Sequence, residues 1–268
     1  MKGYAISETY ANQGIILENL NKIIITSEVS YYAAFDIINV YDNIIDNKYL
    51  KYEKYNNGWS ISIKDEYRNI IKGKITLPVS YNNEPILQIK DFSRCDMTHV
   101  FFDNKEECKI KIIGKETAGG TDYTGFRACQ NLKYFEIMPS MKIIGERAFS
   151  ARWDSTVKDS NLFNITNNNL EKFFENIEEI KNYAFLGCKW IKGIVNFSGN
   201  LKYIGKWGFY GAGITSGIFG NSDNPSHFYE NENDRNYISD KMTYAFDSTP
   251  LSSVYFYVEN LEDMNEAR

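Results

Sequence analysis

Histidine is nearly missing from this chain, where His99 and His227 are the two among 268 residues. Serine or cysteine hydrolysis needs a base within reach of its nucleophile, so there is little material for it and no catalytic residue is assigned. The four cysteines, Cys95, Cys108, Cys129 and Cys188, contain no Cys-x-x-Cys pair, which argues against a structural zinc site. No stretch approaches the roughly 20 apolar residues of a membrane span. The start, Met1-Lys2-Gly3-Tyr4-Ala5-Ile6-Ser7-Glu8, lacks the apolar core of a secretion signal, so the expected location is a virion surface, the cytoplasm, or a cell surface reached by another route. Gly211-Ala212-Gly213 with Gly217 misses the dinucleotide fingerprint because Ser216 stands where the third glycine belongs. Adjacent acids such as Glu106-Glu107 and Glu178-Glu179 read as solvated faces. A formal charge of −5, a pI near 5.3 and dispersed lysines argue against a phosphate-binding surface and hence against nucleic acid. The expectation is a non-enzymatic protein without metal or cofactor.

What is plentiful is aromatic and recurrent. Phe92, Phe126, Phe149, Phe185, Phe209 and Phe246 occupy one position of a degenerate repeat, preceded by Ile144-Gly145-Glu146-Arg147-Ala148, Ile180-Lys181-Asn182-Tyr183-Ala184 and Ile204-Gly205-Lys206-Trp207-Gly208. Two steps are 23 and 24 residues, and the other three are 34, 36 and 37. A period of about two dozen residues signals a stacked solenoid, with insertions in the longer steps. Three places after the Phe comes a small residue, as in Cys95, Cys129, Cys188 and Ala212; apolar residues then alternate, as in Leu132, Phe135 and Ile137.

These units resemble the BspA-like leucine-rich repeat family, whose repeats read roughly Ile-Gly-x-x-Ala-Phe-x-x-Cys-x-x-Leu-x-x-Ile-x-Ile-Pro. The resemblance implies a leucine-rich-repeat solenoid over residues 71–258, a β-strand-lined right-handed coil of five to six repeats, and a binding or adhesion role. Only Pro78 and Pro139 hold the expected proline, and Arg152 stands where a small residue would follow Phe149. The Phe ladder and Cys95, Cys129 and Cys188 are expected in the core as free thiols, and Cys108, lying in an insertion, is expected at the surface. The polar tail 259–268 reads as a C-terminal cap.

Residues 1–70 lack the repeat. Apolar, β-branched runs at 15–17, 23–25 and 31–41, and Asn56-Asn57-Gly58 before Trp59-Ser60-Ile61-Ser62-Ile63, read as strands and a hairpin. A small β-rich region is expected, serving as a cap or attaching the protein to a larger assembly. Tyr and Trp among Asn and Ser favour a contact surface, and solenoid insertions map to loops on one face. Trp153, Phe228, Tyr229, Arg235 and Tyr237 are therefore the candidate partner-binding residues, for a protein or a glycan. The alternatives are a structural component of a phage virion docked through residues 1–70, and an enzyme, for which no residue set speaks.

Overall fold

The computed structural model describes residues 44–119, 122–151, 170–223, 225 and 244–257, together with a short strand pair near the start. The chain divides into two compact units, Met1–Ile44 and Ile45–Arg268. In the first, β1 (Tyr4–Ala5) pairs antiparallel with β2 (Tyr32–Ala33). The second runs through β3 (Leu50–Tyr55), β4 (Gly58–Ile63), β5 (Lys72–Leu77), β6 (Ser80–Tyr81), β7 (Glu84–Asp91), β8 (Asp96–Phe102), β9 (Ile112–Ile113), β10 (Tyr134–Phe135) and β11 (Ile143–Ile144). It continues through the helix α1 (Leu170–Phe174), β12 (Glu179–Ile180), β13 (Lys192–Phe197), β14 (Tyr203–Ile204), β15 (Gly213–Phe219) and β16 (Ser253–Phe256).

One wall of the solenoid is a sheet in the order β3-β4-β7-β9-β11-β12-β14, parallel except for the β3/β4 hairpin. Register places Ile61, Ile89, Ile113, Ile144, Ile180 and Ile204 opposite one another in turn. All six are buried. The repeated strands are two residues long because the chain turns at once, and the turn passes very close to the coil before. A Cβ on Gly145 would lie 2.3 Å from the Lys115 carbonyl oxygen, and one on Gly205 would lie 2.4 Å from the Asn182 nitrogen. The Ile-Gly of the repeat therefore marks a buried strand followed by a backbone approach that no side chain permits.

The phenylalanines stack face to face along the array. Successive ring centroids from Phe92 to Phe246 are 5.9, 5.7, 5.5, 5.2 and 5.3 Å apart, with interplanar angles of 23° or less. Each backbone N–H reaches the next coil: Phe126 donates to Ala148, Phe149 to Ala184, Phe185 to Gly208 and Phe209 to Ala245, at 2.6 to 2.8 Å. The acceptor residue is Ala or Gly, since a larger side chain would push the next coil away. The Cys129 and Cys188 thiols lie 3.1 Å from the Phe92 and Phe149 carbonyl oxygens of the preceding coil, to which they donate. Burial pushes the Cys95 thiol up to about 12.

The opposite wall is made of longer strands in two parallel sheets, β5-β8-β10 and β13-β15-β16. Between them, in the coil after Phe149, the alternating strand pattern is replaced by α1. Leu170, Phe173 and Phe174 fall at i, i+3 and i+4, a helical period, and Phe173 and Phe174 are buried where the strand aromatic would sit. Their rings bridge Phe135 on one side and Phe197 on the other.

Two expectations are corrected. Cys108 is buried, at 5 % exposure, because its loop is drawn down by the Lys105–Glu136 ion pair and by Glu136 accepting the Phe102 N–H at 2.8 Å. The Ser140 hydroxyl donates to its sulfur at 3.7 Å. Residues 45–70 are not separate from the repeats but belong to the same unit, since β4 joins β7 in parallel. Buried Arg68 fastens this segment to the first coil: its Nη2 donates to Asp91 and Asp65 at 2.8 Å, and its Nη1 to the Ser93 carbonyl at 2.6 Å. The tail 258–268 lies outside the described residues.

Three outcomes follow. Phe185→Ala, which empties the centre of the ladder, should cost about 3 to 5 kcal/mol in chemical denaturation; a loss under 1 kcal/mol would show that the stack does not hold the coils. A chain starting at Ile45 should melt cooperatively like the full chain, whereas one starting at Ile71 should aggregate, because it bares the β7 edge and the apolar face of Ile89. Glu53 of β3 bonds Lys51, at 2.8 Å, and Lys90 of β7, and these bonds hold its carboxyl at about 2 against an ordinary 4.5. A depressed carboxyl stabilises the fold above the unfolded value and loses that contribution as pH falls through the folded one. The wild type should therefore lose stability between about pH 4.5 and 2 more steeply than Glu53→Gln, as measured by melting temperature; parallel profiles would remove Glu53 from the account.

Candidate binding surface

Each coil makes a tight turn around its ladder Phe, and these turns lie side by side along one edge of the array. Two positions of the turn require left-handed backbone. Two residues after the Phe, φ is +59° at Arg94, +58° at Ala128, +74° at Gly187, +69° at Gly211 and +58° at Ser248. Two residues before it, φ is +58° at Arg147, +60° at Tyr183 and +56° at Trp207. A residue with a Cβ is disfavoured there by about 1 kcal/mol or more, and glycine would be the economical choice. Three successive coils instead carry Arg, Tyr and Trp.

The side chains of this edge form a continuous series. Two guanidiniums lie over the Tyr123 ring, Arg68 at 4.6 Å and Arg94 at 4.9 Å. Arg94 donates its backbone N–H to the Arg127 carbonyl in the next coil, at 2.8 Å. The Arg147 guanidinium lies 3.9 Å over Tyr183, whose ring meets Trp207 edge-on at 5.3 Å. Lys206 sits over both Trp207, at 4.7 Å, and Tyr244, at 5.5 Å. Such cation–π contacts fix the cations without neutralising them. The Arg147 Nε and Trp207 Nε1 N–H groups are covered and have no hydrogen-bond acceptor.

Beside Tyr123 the edge opens into a groove of about 660 Å³ whose walls include Lys51, Glu53, Lys90, Lys115 and Asp122. Its charges are largely matched within it: Lys90 and Lys51 pair with Glu53, and Lys115 with Asp122 at 3.6 Å. Among the described residues no group of three His, Cys, Asp or Glu side chains is placed to hold a metal ion, and no helix is long and apolar enough to cross a membrane. His99 stacks with Phe101 and Tyr134 on β8 and β10, its Nδ1 lies 2.9 Å from the Thr98 hydroxyl, and burial followed by Lys74 and Lys133 lowers its proton affinity.

The candidate residues Trp153, Phe228, Tyr229, Arg235 and Tyr237 lie outside the described residues. The described residues that flank their insertions lie on the edge just outlined. Ala151 donates its N–H to the Leu186 carbonyl of the next turn, and the Tyr244 carbonyl accepts from Trp207. Arg94, Arg127 and Arg147 were not singled out from the sequence. Their signal was present all the same, because all three fall within two residues of a ladder Phe in consecutive coils.

The family model described as the BspA type leucine rich repeat region matches residues 86–168 and 156–267, with six copies. No curated protein matches the chain. The chain is similar to the crystal structure of the T. pallidum leucine rich repeat protein, at 14% identity and TM-score 0.44, covering 66% of this chain and 71% of that one. It is similar also to a leucine rich cell surface protein from Faecalibacterium prausnitzii A2-165, at 13% identity and TM-score 0.42, covering 79% of this chain and 50% of that one. On the repeated unit, its six copies and the extent of the match, the chain belongs to the BspA-type leucine-rich repeat family.

Proposed function

We propose that this protein is a non-catalytic binding module that holds a protein or glycan partner along the turn edge of its solenoid, to which Trp153, Phe228, Tyr229, Arg235 and Tyr237 of the insertions add contacts. The supporting observation is the row of cationic and aromatic side chains at strained turn positions in consecutive coils. Residues with a side chain held in left-handed backbone cluster at functional sites, and Tyr, Trp and Arg are the residue types that dominate contact energetics. A surface repeated coil by coil also suits an extended partner, which gains contacts with each unit it crosses.

The rival face is the outer side of β13-β15-β16, where Ile194 and Tyr255 are 65 % and 57 % exposed. Binding to intact cells or purified surface extracts should drop at least tenfold for Lys206→Ser/Tyr244→Ser and stay unchanged for Ile194→Ser/Tyr255→Ser, with both variants showing wild-type circular dichroism. The opposite pattern would move the site to the sheet face.

A further inference from the structure

We infer that the edge recognises an acidic peptide segment, whose Asp or Glu side chains are received by Arg94, Arg127 and Arg147. This rests on the binding-module reading and narrows it to a partner chemistry.

Three observations converge. The first is charge. In a protein of net charge −5, three guanidiniums occupy three adjacent coils. Among the described residues neither Arg94 nor Arg147 has a carboxylate within ion-pair distance, whereas the lysines of the neighbouring groove are paired with acids. Arg127 donates from Nη1 to the Asp122 carbonyl at 2.8 Å. Its proton affinity is lowered by burial and then by repulsion from Arg147 and Arg94, which is the electrostatic condition an incoming carboxylate relieves.

The second is geometry. The nearby acids face elsewhere: Asp91 is taken by Arg68, Asp122 by Lys115 and the Gly119 N–H, and Glu146 accepts the Ala118 N–H at 3.1 Å. A guanidinium fork matches a carboxylate with two parallel bonds.

The third distinguishes a peptide from a sugar. Glycans dock by laying a ring on a bare aromatic face, but here the Arg68 and Arg94 guanidiniums lie over the Tyr123 ring and Arg147 over Tyr183. What remains is guanidinium donors beside the edges of Tyr183 and Trp207, a composition typical of protein interfaces.

The test measures fluorescence anisotropy of labelled hexaglutamate with the full chain. Wild type should bind, and Arg94→Gln/Arg127→Gln/Arg147→Gln should bind at least tenfold more weakly. Lys109→Gln/Lys133→Gln/Lys192→Gln, which removes the same charge from exposed sites elsewhere, should change binding less than twofold. Salt at about 0.5 M should weaken the wild type through screening. If the triple arginine variant fails to fold, Arg94→Gln/Arg127→Gln, which leaves the Tyr183 stack intact, is expected to lose at least threefold. Equal losses in the arginine and lysine variants would reduce the effect to net charge and overturn the inference. So would binding of an oligogalacturonate in place of hexaglutamate, which would assign the edge to an acidic glycan. If hexaglutamate fails to bind while Lys206→Ser/Tyr244→Ser still abolishes partner binding, the acidic-peptide inference falls and the binding-module reading stands.

Discussion

The architecture depends on one constraint: no coil can satisfy its own backbone at the turn. The ladder Phe N–H of one coil is bonded by the carbonyl that precedes the next ladder Phe, and the residue two places on repeats the arrangement, with Ala128 donating to Ser150 and Gly187 to Tyr210. Buried amides left unpaired are costly, so a coil is stable only with its neighbour in place. The short acceptors Ala148, Ala184, Gly208 and Ala245, the face-to-face Phe stack and the Ile-Gly close approach are consequences of holding that distance.

The same constraint accounts for the surface. Because the turn must pass through left-handed backbone, the side chains at those positions leave the core, and the edge becomes free to carry chemistry without disturbing the ladder. Core and edge are thus separable by position within a single repeat: the Phe and the residue three places on face inward, and the residues two before and one or two after supply the contact surface. Tight coil spacing brings those outward residues together even though they are about 20 to 40 residues apart in sequence.

The fold was legible in the sequence because buried positions recur under a strict spatial rule, and six ladder Phe followed at fixed offsets by small and apolar residues cannot arise from loose packing. Features set by non-local pairing were not legible in the same way. The hairpin of β3 and β4 announced itself through Asn56-Asn57-Gly58, but its parallel union with β7 had no local signature, and neither did the buried Arg68 that fastens it. Cys108 sits in a stretch of charged residues and looked exposed, yet Glu136, which draws its loop inward, lies 28 residues further on. Helix α1 could have been read from the i, i+3, i+4 spacing of Leu170, Phe173 and Phe174. The arginine row was harder to see, because its members occupy different offsets from the Phe and align only when coils are stacked.

Helix α1 also changes how the array shares load. Among the described residues, the second wall shows no strand at the coil that holds it, and the rings of Phe173 and Phe174 lie between Phe135 of β10 and Phe197 of β13. Side-chain contacts without a backbone ladder make a compliant joint between two stiffer blocks. Pulled from its ends, or nicked by a protease, the solenoid has a built-in seam there, with the coils of Phe92 and Phe126 on one side and those of Phe185, Phe209 and Phe246 on the other.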